Sequence, residues 1–274
     1  MSRLLVASCL CLLVSDIASA TNVVFSGNSG IGIEGSAIGA QSGGVISFDV
    51  NDLSTAYVPF DFPGNLDAVH FLDNGNFLLS YHSEVTIGGL TFDDDHIVEY
   101  DVESDRVTSF FNYAGIINSA PDSDIDAFFL LPNGNHVFSN VTDAVGGELA
   151  VSSNDLIEYN PEAGVASLYF DGDLIQDGDR FNNLSGASLF AEDVLAVSVS
   201  TGGTPEITLG GQGFQRDDIV LYDMKSGTGS MLVGDTLLAT AVNAIHIGPT
   251  VGVPEPDSLS IVFLGLWLVA RRRK

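Results

Sequence analysis

The sequence has little cysteine and little positive charge. Its two cysteines, Cys9 and Cys11, lie within the first 20 residues, so the rest of the chain can form neither a disulfide nor a thiolate metal site. Nine lysines and arginines stand against 36 aspartates and glutamates, and the formal net charge at pH 7 is -27. Such a charge argues against nucleic acids and anionic membrane surfaces as partners, favours solubility and attracts cations.

The acidity is concentrated between the two ends of the chain. When residues 1–20 and the residues from 253 onward are set aside, 33 acidic and 4 basic side chains remain, a difference of 29 charges. Aromatic and β-branched residues are plentiful in this body, which distinguishes it from a disordered acidic tail and supplies material for one sizeable core. No stretch of ten residues in it has convincing helical periodicity, so we expect an all-β fold.

The N-terminal segment has the features of a cleavable signal peptide. Arg3 precedes an apolar run over residues 4–14, and Ala18, Ser19 and Ala20 supply the small-residue cleavage signature. Cleavage after Ala20 would make Thr21 the first residue of the mature protein and implies passage through the Sec translocon. A lipoprotein signal ending at Cys9 is the alternative, although only five residues precede its Val6-Ala7-Ser8-Cys9 motif.

The C-terminal segment, residues 251–274, combines a stiff hinge, a short apolar run and a basic stop. Proline holds the hinge extended, and the basic residues 271–274 would stay on the cytoplasmic side of a membrane. The apolar run over residues 259–270 would form a helix of roughly 18 Å, well short of the ~30 Å hydrocarbon core. The hinge consists of Val253, Pro254, Glu255 and Pro256.

This order of motif, apolar segment and basic cluster resembles the PEP-CTERM family of sorting signals, also labelled an ice-binding-protein C-terminal domain. The resemblance covers about 22 residues. It implies processing near the Pro254-Glu255-Pro256 motif by an exosortase in a Gram-negative cell that makes exopolysaccharide. The protein would then pass through the inner membrane to the cell surface or beyond. An ordinary C-terminal membrane anchor is the alternative, and the regular threonine ladders of an ice-binding surface are absent from the sequence.

The body consists of repeats about 59 residues long. The segment at residues 66–71 (LDAVHF) recurs at 125–130 (IDAFFL), 184–189 (LSGASL) and 242–247 (VNAIHI). An Asn-Gly pair follows the first two copies, at Asn74-Gly75 and Asn133-Gly134, and predicts a tight hairpin between alternating apolar strands. Two further strands complete each unit. Four short strands repeated in this way predict the blade of a propeller, and the repeats are similar to those of other PEP-CTERM proteins.

The two ends of the body together supply the strands of one complete unit. Residues 242–247 supply only a first strand, whereas residues 22–60 supply the other three. We therefore predict that residues 21–250 form a four-bladed β-propeller-like domain with one blade split between the termini, since pairing the halves removes open sheet edges. Both ends should then emerge on one rim. A looser array of four β units is the alternative.

Clustered acids make calcium the candidate ion. Long loops between the second and third strands end in acids, at Asp93-Asp94-Asp95, Asp155 and Asp217-Asp218. Such clustered acids suit a cation that takes 6–8 oxygen ligands. Because equivalent loops share a face of a propeller, we expect these acids to line one rim. Ordinary solvated turn acids are the alternative. The calcium candidates are Asp93, Asp94, Asp95, Asp122, Asp124 and Asp126.

No catalytic residue stands out. His70 and His246 occupy equivalent repeat positions and are expected to pack, and the periodic serines Ser80, Ser139 and Ser198 are expected to be architectural. The sequence thus favours a non-enzymatic surface or matrix scaffold that binds polysaccharide, cations or protein. A lactonase-like, metal-dependent propeller hydrolase is the alternative, and it would require unlike residues from different blades to converge on the ring axis.

Overall fold

The computed structural model describes residues 21–27, 31–32, 39–40, 43–50, 52–113, 116, 124–139, 144–146, 149–175, 183–200, 207–215, 218–234 and 242–249. The signal peptide, the sorting motif with its apolar segment, and Asp122 lie outside these ranges. Within them, the one helix is a single 3-10 turn at Gly172–Leu174, and no helix is long and apolar enough to cross a membrane.

The described chain is otherwise built from 24 short strands. In chain order they are β1 (Thr21–Gly27), β2 (Ile31–Gly32), β3 (Gly39–Ala40), β4 (Gly44–Asp49), β5 (Asp52–Asp61), β6 (Leu66–Phe71), β7 (Phe77–Tyr81), β8 (Val85–Ile87), β9 (Leu90–Phe92), β10 (His96–Asp101), β11 (Arg106–Asn112), β12 (Ala127–Leu130), β13 (His136–Ser139), β14 (Ala144–Gly146), β15 (Leu149–Val151), β16 (Leu156–Asn160), β17 (Val165–Phe170), β18 (Asn183–Ala191), β19 (Val194–Ser200), β20 (Ile207–Leu209), β21 (Gln212–Phe214), β22 (Ile219–Asp223), β23 (Thr228–Val233) and β24 (Val242–Pro249).

Sixteen of these strands form four antiparallel blades. Counted from the inner strand outward, the blades are β24-β1-β4-β5, β6-β7-β10-β11, β12-β13-β16-β17 and β18-β19-β22-β23. We number them blades 1 to 4. The inner strands β24, β6, β12 and β18 contact one another in sequence around a central axis, and β18 also contacts β24. The predicted four-bladed propeller is therefore confirmed.

Blade 1 is the predicted split blade. Strand β24 pairs antiparallel with β1, with Thr21 opposite Pro249 and Val24 opposite His246. Blade 4 also holds β24 in place, because the Ser185 hydroxyl donates to the Val242 carbonyl at 2.7 Å and the Ile247 amide donates to the Ser188 hydroxyl at 3.0 Å. The first and last described residues thus lie side by side on one rim, as the sequence predicted.

The core lies between the blades rather than in a single central layer. Each of four hydrophobic clusters combines residues of two neighbouring blades, since both faces of every sheet are covered. In one of them, Phe25 and Phe48 of blade 1 pack edge to face at 5.6 Å beside Ile219 of blade 4. This arrangement explains why most blade strands are apolar on both sides instead of alternating.

The segments between the second and third strands differ from the loops expected from the sequence. Each contains a two-stranded hairpin, namely β2-β3, β8-β9, β14-β15 and β20-β21. In two of them a glycine pair supplies the turn: φ is 60° and 83° at Gly88 and Gly89, and 56° and 80° at Gly210 and Gly211, which favours a two-residue hairpin loop. Strands of only two or three residues carry too little alternation to be recognised in the sequence.

The direction of the inner strands defines two faces of the ring. The inner strands begin, and the four hairpins project, at what we call the hairpin face. The turns from first to second strand and from third to fourth strand lie at the opposite end, which we call the turn face. Because β24 ends and β1 begins at the turn face, both chain ends leave from it.

Ring closure should depend on the Phe25 side chain. Phe25 of the closing strand β1 is fully buried in the cluster between blade 1 and blade 4, so Phe25→Ala should lower the free energy of unfolding by about 3–5 kcal/mol, as for other buried phenylalanines. Urea denaturation would measure the change. The exposed Leu168→Ala variant is the control and should stay within about 1 kcal/mol of wild type. Equal effects of the two substitutions would contradict the split-blade packing.

Candidate functional site

In three of the four blades, the second residue of the repeated segment (residues 66–71 and its copies) interrupts the regular pairing of the inner strand. Asp67, Ser185 and Asn243 are skipped in the pairing of their strands, which marks each as the extra residue of a β-bulge. Asp126 occupies the equivalent place just before β12. A bulge re-aims a side chain, and these four side chains meet at the hairpin-face end of the axis. Asp67, for example, is hydrogen-bonded to the Asn243 side chain and feels the charge of Asp126.

Asp67, His82 and Asp124 form a compact group at this end of the axis, which we call the axial cluster. His82 Nδ1 lies 3.0 Å from Asp124 Oδ2 and 3.3 Å from Asp67 Oδ2, and the ligand atoms of all three residues lie within 4.8 Å of one another. The side chains of Asp67 and Asp124 are only 4% and 8% exposed, whereas that of His82 is 61% exposed. The cluster therefore has two buried carboxyl groups and one imidazole exposed to solvent.

Electrostatics make this arrangement costly without a counter-charge. Burial, followed by the charges of Asp124 and Asp126, raises the pKa of Asp67 to about 9. Burial also raises the pKa of Asp124 to about 6, although the neighbouring His82 lowers it in part. Asp67 Oδ2 and Asp124 Oδ1 are buried and have no hydrogen-bond partner. Two carboxylates and an imidazole are suitable donors for a divalent cation, which would neutralise this repulsion.

A second group, the loop cluster, consists of Asp93, Asp95 and His96 at the end of the blade 2 hairpin. His96 Nδ1 lies 2.9 Å from Asp95 Oδ1, and His96 Nε2 lies 2.8 Å from the Asn112 amide. Asp93 is exposed, and the other two residues are half-buried. Asp94 lies close enough to Asp124 to contribute to the raised pKa of that carboxyl. The two clusters are therefore neighbours on the hairpin face.

The residues equivalent to His96 have a different, structural role. Asp155 accepts the amide protons of Ser152 at 2.7 Å and Gly172 at 2.8 Å, and Asp218 accepts that of Gln215 at 2.8 Å. Both aspartates are buried. The sequence placed them among acids lining the rim, but the structure uses them to fix their own turns. Blade 2 alone among these three has a histidine at this position.

The calcium candidates thus divide between two places. Asp93 and Asp95 belong to the loop cluster with Asp94 between them, Asp124 belongs to the axial cluster, and Asp126 lies beside it. Sequence analysis missed Asp67, His82 and Asn243. The available signal was the second position of the repeat, which is polar in all four copies of an otherwise mostly apolar strand.

The other candidates belong to neither cluster. Ser80, Ser139 and Ser198 are fully buried in the blades, where no substrate could reach them. His70 and His246 pack edge to face with ring centroids 4.9 Å apart, three residues beyond Asp67 and Asn243 toward the turn face. Burial lowers the pKa of His70 to about 4, and burial together with His70 holds the pKa of His246 well below its ordinary value.

Buried neutral histidines should make the fold sensitive to acid. Because the pKa of His70 is near 4 in the fold and near 6.5 in the unfolded chain, the unfolded state binds more protons between these values. Stability is therefore lost as pH falls from 6.5 to 4. Phe129 occupies the equivalent position in blade 3, so the His70→Phe variant should fold. Between pH 7 and 4.5, its free energy of unfolding should fall by about 1–3 kcal/mol less than that of wild type.

Urea unfolding at the two pH values, with chelator present, would measure the difference. Asp67 and Asp124 titrate in both proteins, so their contributions cancel in the comparison. The Leu168→Ala variant should follow wild type. An identical loss of stability in wild type and His70→Phe would show that His70 is not held neutral.

Comparisons with known proteins identify no family. No protein-family model and no curated protein sequence matches this chain. Among solved structures, virginiamycin B lyase from Staphylococcus aureus is 11% identical with a TM-score of 0.32, covering 77% of this chain and 59% of the lyase. A protein of unknown function from Bacteroides caccae is 10% identical with a TM-score of 0.39, covering 84% and 99%. An auxiliary nutrient binding protein from Bacteroides thetaiotaomicron is 9% identical with a TM-score of 0.34, covering 77% and 49%. The chain spans about three fifths of the lyase, and we carry no activity over from these proteins.

Proposed function

We propose that this chain is an exported, exosortase-processed surface protein whose propeller is a non-enzymatic binding scaffold. The observation that supports it is the separation of the two faces. Both chain ends leave from the turn face, whereas the axial cluster, the loop cluster and the four hairpins lie at the hairpin face. A C-terminal tail that follows Pro249 would hold the turn face toward the cell and would leave the hairpin face directed outward.

The charge distribution indicates what the outward face would bind. Within the described ranges, the basic side chains Arg106 and Lys225 both lie at turns between third and fourth strands, on the turn face. Arg180 and Arg216 lie outside those ranges, and among the described residues the hairpin face has carboxylates and no lysine or arginine. Such a surface concentrates cations. We propose that it binds acidic extracellular polysaccharide through divalent cations, since a polyanion would otherwise be repelled.

Site-specific labelling would test export and orientation together. The mature chain would contain no cysteine, so a single introduced thiol is a unique label. Leu90→Cys places it on the blade 2 hairpin, where Leu90 is 50% exposed, and Glu103→Cys places it in an exposed turn on the turn face. On intact cells, a membrane-impermeant maleimide should label Leu90→Cys several-fold faster than Glu103→Cys. Detergent release should remove the difference.

Two results would contradict this proposal. Labelling of both variants only after lysis would place the propeller inside the cell. Equal labelling on intact cells would mean that the turn face is not held toward the surface. Replacement of the three residues Pro254, Glu255 and Pro256 by alanine provides the sorting control, because it should change the final location without changing the fold.

A metal-dependent hydrolase is the second candidate, because unlike side chains of different blades converge on the axis at Asp67, His82, Asp124, Asp126 and Asn243. From the sequence, we expected such convergence of unlike residues in an enzyme and not in a binding scaffold. Purified protein supplied with Ca²⁺, Mn²⁺ or Zn²⁺ should be assayed against simple esters and lactones. We expect no turnover above that of Asp67→Asn. Metal-dependent turnover that this substitution abolishes would favour the hydrolase.

A further inference from the structure

We propose that Asp67, His82 and Asp124 form a divalent metal site at the hairpin-face end of the propeller axis, with Asp126 and Asn243 beside it. The site would be a resident feature of the folded chain and would provide the cation through which the outward face binds its ligand. This inference deepens the proposed function, but metal binding by the purified protein does not depend on where the protein resides.

The geometry of the three donors supports the site. Their ligand atoms lie within 4.8 Å of one another, and they come from three places in the chain: the bulge in β6, the residue after β7 and the segment before β12. The position of His82 is fixed by its backbone, because its amide donates to the Asn65 carbonyl at 3.0 Å. The donors are therefore brought together by the fold rather than by a flexible loop.

An independent observation also points to a ligand. Asp67 and Asp124 are more than nine-tenths buried. Asp124 Oδ1 has no hydrogen-bond partner, and Asp67 Oδ2 has no hydrogen bond beyond its 3.3 Å contact with His82 Nδ1. A buried polar atom without a partner costs free energy, and a buried charge without a counter-ion costs more. Solvated turn acids would not have this arrangement. A cation between the two carboxylates would satisfy both oxygens.

The donor set indicates the class of metal. Imidazole nitrogen suits Zn²⁺ and the other late first-row ions, while carboxylate oxygen also suits Mn²⁺. Ca²⁺ prefers a complete shell of oxygen ligands. We therefore infer a transition-metal ion of the Zn²⁺ or Mn²⁺ class instead of the calcium predicted from the sequence. His82 is largely exposed and lies at the opening, which leaves a path for the ion and for water.

The loop cluster provides a matched control. Asp93, Asp95 and His96 also offer two carboxylates and one imidazole, but none of them is nine-tenths buried. His96→Asp introduces the residue that blades 3 and 4 have at this position, Asp155 and Asp218, where it accepts amide protons of its own turn. This variant should fold and should lack the loop imidazole while the axial cluster stays intact.

The experiment is a calorimetric titration of the purified full-length protein, stripped of metal with chelator, with Zn²⁺, Mn²⁺ and Ca²⁺. We expect one saturable Zn²⁺ or Mn²⁺ site in wild type and in His96→Asp. Asp67→Asn and Asp124→Asn should lose it, and His82→Gln should bind more weakly. Asp67→Asn also tests folding, because the amide has nearly the shape of the carboxyl and can still donate a hydrogen bond to Asp124, so the melting temperature of the metal-free protein should be equal to or above that of wild type.

Three outcomes would overturn the proposal. The first is a titration in which none of the three ions saturates the wild-type protein. Binding lost in His96→Asp and kept in Asp67→Asn would move the site to the loop cluster. Binding of Ca²⁺ alone, unaffected by His82→Gln, would exclude the imidazole and with it the class of metal. Failed surface labelling with an intact axial site would refute the proposed function and leave this inference standing.

Discussion

The antiparallel pairing of β1 with β24 holds the two ends of the chain together, and the rest of the ring depends on it. Without β24, blade 1 would have no inner strand. The backbone of β1 would then be an unpaired sheet edge along the apolar residues Val23, Val24 and Phe25. The same pairing brings Asn243 next to Asp67. Closure of the ring therefore also completes the surroundings of the axial cluster.

Burial of the axial carboxyl groups adds a free-energy cost to ring closure. A ring of four blades brings its inner strands close together, so any charge on their second residues is taken out of water. Asp67 and Asp124 respond with raised pKa values, for which burial is the main cause. Natural proteins retain such local costs mainly where a site needs them, and they compensate with packing elsewhere. Here the interblade clusters around Phe25, Phe77, Phe128 and Phe138 supply that packing.

Most of the fold was predictable from the sequence, because the repeat itself carries the information. The recurrence of residues 66–71 gave the number of blades, the Asn-Gly pairs gave the first turns, and the incomplete units at the two ends gave the split blade. The hairpins between second and third strands were missed, since strands as short as β8 and β9 have no usable periodicity.

The axial site was not predictable in the same way. His82 and Asp124 are separated by 42 residues and belong to different blades, so no local spacing connects them. The loop acids were grouped by equivalence in sequence, yet Asp155 and Asp218 are buried within their own turns while His96 is not. Equivalent positions share a backbone environment. The two clusters lie where one blade has a different side chain from the others at such a position.

The second position of the inner strand shows what the fold itself requires. The bulge places this side chain at the axis, and all four copies are polar there: Asp67, Asp126, Ser185 and Asn243. Two of the four blades meet that requirement with a neutral side chain, and Ser185 does so with a hydrogen bond to the closing strand. A negative charge is thus not needed to build a blade. The carboxylates of Asp67 and Asp124 are buried close together at this end of the axis, beyond what the blade requires, and this is why we assign these two residues to a ligand.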